Sequence, residues 1–140
     1  MTASTAHAHW EGTLMEGAGT VDLTTSGVAT FPVSWAKRAD AGQGTTNPEE
    51  LIAAAHSACF AMALSNALAE NKTPAEKLDI TAEVGFKPGV GITGSKLTLT
   101  GVVPGLSDDQ FAAIAEEAKK GCPVSQALAG IPITLEVNPA

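Results

Sequence analysis

The sequence predicts one α+β domain in which strands and two longer helices share a single core. Three observations predict it. From Leu51 to Leu68 the chain is almost wholly alanine, leucine, isoleucine and methionine, the composition of a long helix. Segments of alternating polar and apolar residues lie on both sides of that run, as strands require. Near the C-terminus, Ser107-Asp108-Asp109-Gln110 is a capping signature that opens a second helix. At 140 residues, positions 1–140 make a single domain large enough to bury a core without disulfides or metals.

In chain order, 9–14 and 19–24 alternate about a glycine turn and read as a hairpin. A third strand is expected over 28–35. Residues 37–46 read as a loop of small residues carrying Arg38, the only arginine of the chain. The central helix spans 47–70, with Asn47 as N-cap, Pro48 at its first position and Glu50 three residues after the cap. So apolar a helix is expected to be buried on most faces, and its polar interruptions mark it as a core or interface helix in place of a membrane span. Strands are expected over 78–86 and 90–103, antiparallel and joined near Pro88-Gly89. Phe111, Ile114, Ala115 and Ala118 form the apolar stripe of the second helix, which Gly121 should end from just beyond its last turn. Pro123 suits the first position of another short helix, with Cys122 as its N-cap, and 131–137 is a closing strand.

A net charge of −7 with no lysine or arginine cluster argues against a nucleic-acid partner. The opening MTASTAHAHWEG lacks the basic flank and apolar core of a secretory leader, so the cytoplasm is expected. Cys59 and Cys122 are too far apart in sequence for a CxxC motif or a zinc finger. In a reducing compartment they are either two free buried thiols or a pair that cycles. His56 with His7 or His9 is a weak metal candidate, lacking a second close pair of ligands.

A thiol buried in an apolar helix ionises only with help. The dipole of the central helix gives Cys59 none, because Asn47 lies about 18 Å away along the axis and the dipole acts within the first turn. The cation must be Arg38, His56 or a lysine. Arg38 suits best, since a guanidinium stays charged when desolvated and its fork can hold several acceptors. Cys122, at a helix N-terminus, is locally the more acidic thiol.

NPEELIAAAHSACFAMAL, GCPVSQAL and the early HWEG together resemble the corresponding segments of the osmotically inducible protein C and organic hydroperoxide resistance (OsmC/Ohr) family, more closely its OsmC branch. The resemblance covers nearly the whole chain. It implies curved antiparallel sheets packed around two long central helices in an intertwined homodimer. It also implies a thiol-dependent peroxidase that reduces organic hydroperoxides, and hydrogen peroxide more weakly, with no prosthetic group and an external dithiol or lipoyl-type reductant. Neither a membrane nor a nucleic acid is expected to take part. Carried over by motif, the peroxidatic cysteine is Cys59, the resolving cysteine Cys122, the carboxylate Glu49 and the arginine Arg38. Glu49 and Cys59 are ten residues apart, about 15 Å along one helix and too far for a single guanidinium to bridge. The expectation is therefore that Glu49 reaches the Cys59 of a partner chain in a C2 dimer. The competing classes are a thiol redox sensor that does not turn over and a small-ligand binding protein.

Overall fold

Alternation near the N-terminus does produce a sheet. In the computed structural model, which describes residues 1–39 and 44–138, β1 (His7–Glu11), β2 (Ala18–Asp22) and β3 (Thr30–Val33) pair antiparallel in that order. The hairpin begins earlier than its alternation suggests. Gly12 takes φ 91°, a conformation open chiefly to glycine, and the Trp10 indole N–H donates to the Gly12 carbonyl at 3.0 Å. That contact ends β1 at Glu11.

β3 is also shorter than expected, because Ser34 starts a helical turn, α1 (Trp35–Ala39), in which the Arg38 N–H donates to the Ser34 carbonyl at 3.1 Å. Arg38 thus lies at the end of α1 and not in the loop expected over 37–46, of which 40–43 fall outside the described residues.

The central helix, α2 (Pro48–Glu70), starts where its cap predicts, with the Glu50 N–H donating to Asn47 Oδ1 at 2.7 Å. Only half of the capping box forms, since the Glu50 carboxylate accepts from the Thr46 hydroxyl at 2.6 Å instead of turning back to the cap. α2 buries one stripe, Glu49, His56, Phe60, Leu64 and Leu68. The expected burial on most faces is not met within one chain. Ala54, Ala55, Ala58, Ser65 and Asn66 face outward, and Met62 is 72% exposed. By length and composition alone α2 would suit a bilayer, yet its buried stripe is the spine of the core.

β4 (Lys77–Lys87) and β5 (Gly91–Val102) are antiparallel as expected, from Lys77 opposite Val102 to Lys87 opposite Gly91. α3 (Asp108–Gly121) carries the full predicted box between Ser107 and Gln110. Gly121 is the last residue of α3 and not the residue beyond it. The Cys122 N–H still reaches the Ala118 carbonyl at 2.9 Å, and Pro123 forces the break one residue later than glycine would have. Cys122 then caps α4 (Pro123–Ala127).

β6 (Ile133–Val137) joins β5 in parallel, with Ser95 opposite Ile133 and Leu99 opposite Val137. The second sheet is therefore mixed, antiparallel between β4 and β5 as the resemblance implied and parallel between β5 and β6. A parallel neighbour needs a long crossover, and α3 and α4 are that crossover. The core lies between them and the sheet, built from Phe60, Leu64, Leu68, Leu97, Leu99, Phe111 and Ala115. Each large side chain in it contributes about 2 kcal/mol of hydrophobic stabilisation. The first sheet contributes no buried residue.

Candidate active site

Cys59 lies one turn beyond His56 on α2, half-buried at the edge of the core, while Cys122 is fully buried at the junction of α3 and α4. Both are free thiols, and they face one another closely enough for each to act on the other's ionisation. Desolvation pushes the Cys59 thiol above its ordinary range, and the neighbouring Cys122 pushes it further; the Val124 N–H only partly offsets this. Burial is also the largest single influence on Cys122. There it is outweighed by the Ser125 N–H, Cys59, the Ser125 hydroxyl and the Val124 N–H, so the thiol titrates below its ordinary range. The helix-capping position makes Cys122 the more acidic of the two, as its local sequence suggested.

No cation among the described residues acts on Cys59 within the chain. Arg38 is engaged elsewhere. Its Nε and one terminal nitrogen donate to Glu49 Oε1 at 3.1 and 3.0 Å, and its guanidinium carbon stands 4.5 Å from the centre of the Phe86 ring. Trp35 meets the same ring edge-on at 6.0 Å. The pair is asymmetric, for the Glu49 side chain is 6% exposed against 33% for Arg38. Glu49 Oε2 is buried without a hydrogen-bond partner among the described residues. A cleft of about 330 Å³ opens beside the pair, lined also by Ala53, Ala82 and Val84. The structure thus brings Arg38 to Glu49 and Cys59 to Cys122. It does not bring one pair to the other in the same chain.

His56 is no metal ligand here, since both ring nitrogens are taken by serines. Among the described residues no three His, Cys, Asp or Glu side chains cluster as a metal site would require.

Residues 41–136 match the family model described as OsmC-like protein. Over 124 residues the chain is 43% identical to Peroxiredoxin OsmC of Escherichia coli (strain K12), an alignment covering 86% of each protein. The chain belongs to the OsmC family. Its fold agrees with solved family structures. An organic hydroperoxide resistance protein OsmC from Legionella pneumophila superposes with a TM-score of 0.78 at 28% identity, over 99% of this chain and 98% of that one. The organic hydroperoxide resistance protein OhrB of Bacillus subtilis gives 0.72 at 29% identity, over 96% and 98%.

For an OsmC-family chain, three features of this site escaped the sequence. Phe86 supports the guanidinium from β4, and in sequence it is one more apolar position of an alternating strand. Ser95 and Ser125 bond His56 across 39 and 69 residues of chain. No local pattern encodes such partners, although a histidine inside so apolar a helix signals that buried partners exist.

Proposed function

We propose that this chain is a cysteine-based peroxidase that reduces organic hydroperoxides to alcohols, with Cys59 as the peroxidatic and Cys122 as the resolving thiol. The observation that carries the reading is the pair itself, two reduced thiols facing one another at the core of an OsmC-family fold. The Cys59 thiolate attacks one peroxide oxygen, the O–O bond breaks, and the alcohol leaves with a proton. Cys59 is then a sulfenic acid. The Cys122 sulfur attacks it, an S–S bond forms as the S–O bond breaks, and hydroxide departs as water with the proton that Cys122 gave up. An external dithiol returns the disulfide to two thiols, and no prosthetic group takes part.

The first step needs a cation at Cys59, and none of the described residues of its own chain supplies one. A C2 homodimer supplies one. In it the partner subunit's Arg38, fixed by the partner subunit's Glu49, approaches Cys59, holds the thiolate and polarises the O–O bond. Three observations support this. The Arg38–Glu49 pair flanks an open cleft, the outer face of α2 is apolar and uncovered around Met62, and the first sheet has no core of its own. An apolar face on α2 calls for a second protein surface. We place the dimer in the cytoplasm.

A second reading takes Cys122 as the thiol that meets peroxide, because it is the more acidic of the two. Turnover of an alkyl hydroperoxide and of hydrogen peroxide with excess dithiol, beside Cys59→Ser and Cys122→Ser, separates the two. Loss of all turnover in Cys59→Ser, with Cys122→Ser accumulating overoxidised Cys59, is the expected result. Turnover surviving in Cys59→Ser would establish the second reading, and a wild type that forms the disulfide once and stops would be a sensor.

A further inference from the structure

Among the described residues, His56 is the one buried titratable group that the peroxidase chemistry leaves unused. It is fully buried on α2, one turn before Cys59. Its Nδ1 lies 2.7 Å from Ser95 Oγ on β5, and its Nε2 lies 2.8 Å from Ser125 Oγ on α4. Ser95 is 2% and Ser125 6% exposed, so water does not readily serve either hydroxyl. Ser125 stands in the first turn of α4, three residues after its N-cap Cys122, and its hydroxyl favours the Cys122 thiolate. Ser95, His56 and Ser125 therefore form a hydrogen-bonded row from β5 through α2 to α4, inside an otherwise apolar core, and Cys122 lies three residues before its last member.

The hydrogens in this row can be counted. Each serine hydroxyl has one to give, and a neutral imidazole has one N–H. Burial alone depresses the His56 pKa, with no charged group acting on the ring, so the imidazole is neutral at physiological pH. With the hydrogen on Nδ1, the ring donates to Ser95, and Ser125 must spend its only hydrogen on Nε2. The Ser95 hydrogen then has no acceptor among the described residues, and nothing in the row donates to Cys122. With the hydrogen on Nε2, Ser95 donates to Nδ1, Nε2–H donates to Ser125 Oγ, and the Ser125 hydroxyl is free to donate to the Cys122 sulfur. The first arrangement strands the spare hydrogen on Ser95, whereas the second leaves it on Ser125, one turn from the Cys122 sulfur, and a buried donor left unmade is costly.

We propose that Ser95, His56 and Ser125 form a one-way donor chain ending on the Cys122 sulfur, in which His56 is a positioning residue that aims the Ser125 hydroxyl at the resolving thiol. The inference rests on the proposed role of Cys122 and adds how that thiol is kept reactive. The fold places the row where resolution needs it. Cys122 must attack as a thiolate while buried beside Cys59, and a hydroxyl held in place stabilises that thiolate without adding a charge to the core. When the disulfide forms, the sulfur loses its charge, and the donor that held the thiolate loses most of its purchase.

Two measurements test this. In the wild-type protein, NMR of nitrogen-labelled histidine reads the His56 tautomer directly, and Nε2 is expected to carry the hydrogen. In a Cys59→Ser background, ultraviolet thiolate absorbance titrates Cys122 alone. Ser125→Ala is expected to raise the Cys122 pKa by about one unit and to slow disulfide formation about tenfold at neutral pH in the otherwise native protein. Ser125→Thr, which keeps the hydroxyl, is expected to restore both. A merely structural role for Ser125 would lower the melting temperature without moving the titration. A hydrogen on Nδ1, or an unmoved Cys122 pKa in Ser125→Ala, would overturn the proposal. Failure of the peroxidase reading shows separately, as a wild type that does not turn over hydroperoxide, and leaves both measurements readable.

Discussion

At its first turn α2 holds Glu49 against the Arg38 guanidinium, a charged pair beside an open cleft. Two turns further on, the same helix holds His56 and Cys59 in an interior where, among the described residues, no cation acts on either. The first region keeps its charge by pairing. The second avoids charge and distributes neutral hydrogen bonds instead. Thiol chemistry on peroxides needs both, a cation to ionise one sulfur and a dry, ordered interior in which the second can reach it. The chain builds the two about 15 Å apart, by the rise of the helix between Glu49 and Cys59, and antiparallel pairing of two such helices would superimpose them.

Mixing inactive variants is the sharpest way to break that comparison. Alone, the Arg38→Ala and Cys59→Ser variants are each expected to lose at least about a hundredfold in kcat/KM. In the proposed dimer, heterodimers of the two contain one site with both an intact Cys59 and an intact Arg38. Recovery of up to half the wild-type activity per heterodimer is the expected outcome, and no recovery would put Arg38 and Cys59 to work in the same chain. Met62→Asp probes the uncovered face of α2. It should shift sedimentation toward monomer, with activity lost on dilution, and an unaltered dimer would place the contact elsewhere.

Smaller effects sharpen the neutral region. Leu64→Ala opens a cavity in the buried stripe and should lower stability by about 3–5 kcal/mol in denaturant titrations. His56 makes stability depend on pH. Burial holds its folded pKa below the ordinary histidine value of 6.5, so below that pH the unfolded chain binds a proton that the folded chain refuses. The contribution is fully present above the unfolded pKa and is lost as pH falls toward the folded one. The slope there reaches about 1.4 kcal/mol per pH unit, and it should vanish from the urea midpoints of His56→Gln.

Much of this was legible in the residues. α2 and α3 declare themselves by caps and composition, because Asn47 and Ser107 form their bonds within three residues of chain. The β4–β5 hairpin follows from alternation. Features that depend on distant chain were not legible. α1 is five residues long and grows from the Ser34 turn, too short for a periodicity. The parallel docking of β6 depends on the path taken by α3 and α4. The resemblance named Cys59, Cys122, Arg38 and Glu49, but the contact of Arg38 with Phe86 and the serines on His56 are products of packing. The apolar outer face of α2 misled in an informative way, since composition asked for burial that one chain does not provide.

The crossover that carries the chain from β5 to β6 also sets Cys122 opposite Cys59. A disulfide there would close a loop of about sixty residues spanning most of the core, worth about 4 kcal/mol in lost unfolded-state entropy. Oxidation would therefore tighten the protein as a whole, so the oxidised form should outlast the reduced one against heat and proteases. The reductant must then work against that gain at every cycle. A chain still folding, with α3 not yet laid across the sheet, has its two sulfurs far apart and cannot complete the reaction, so a closed Cys59–Cys122 bond reports a finished fold.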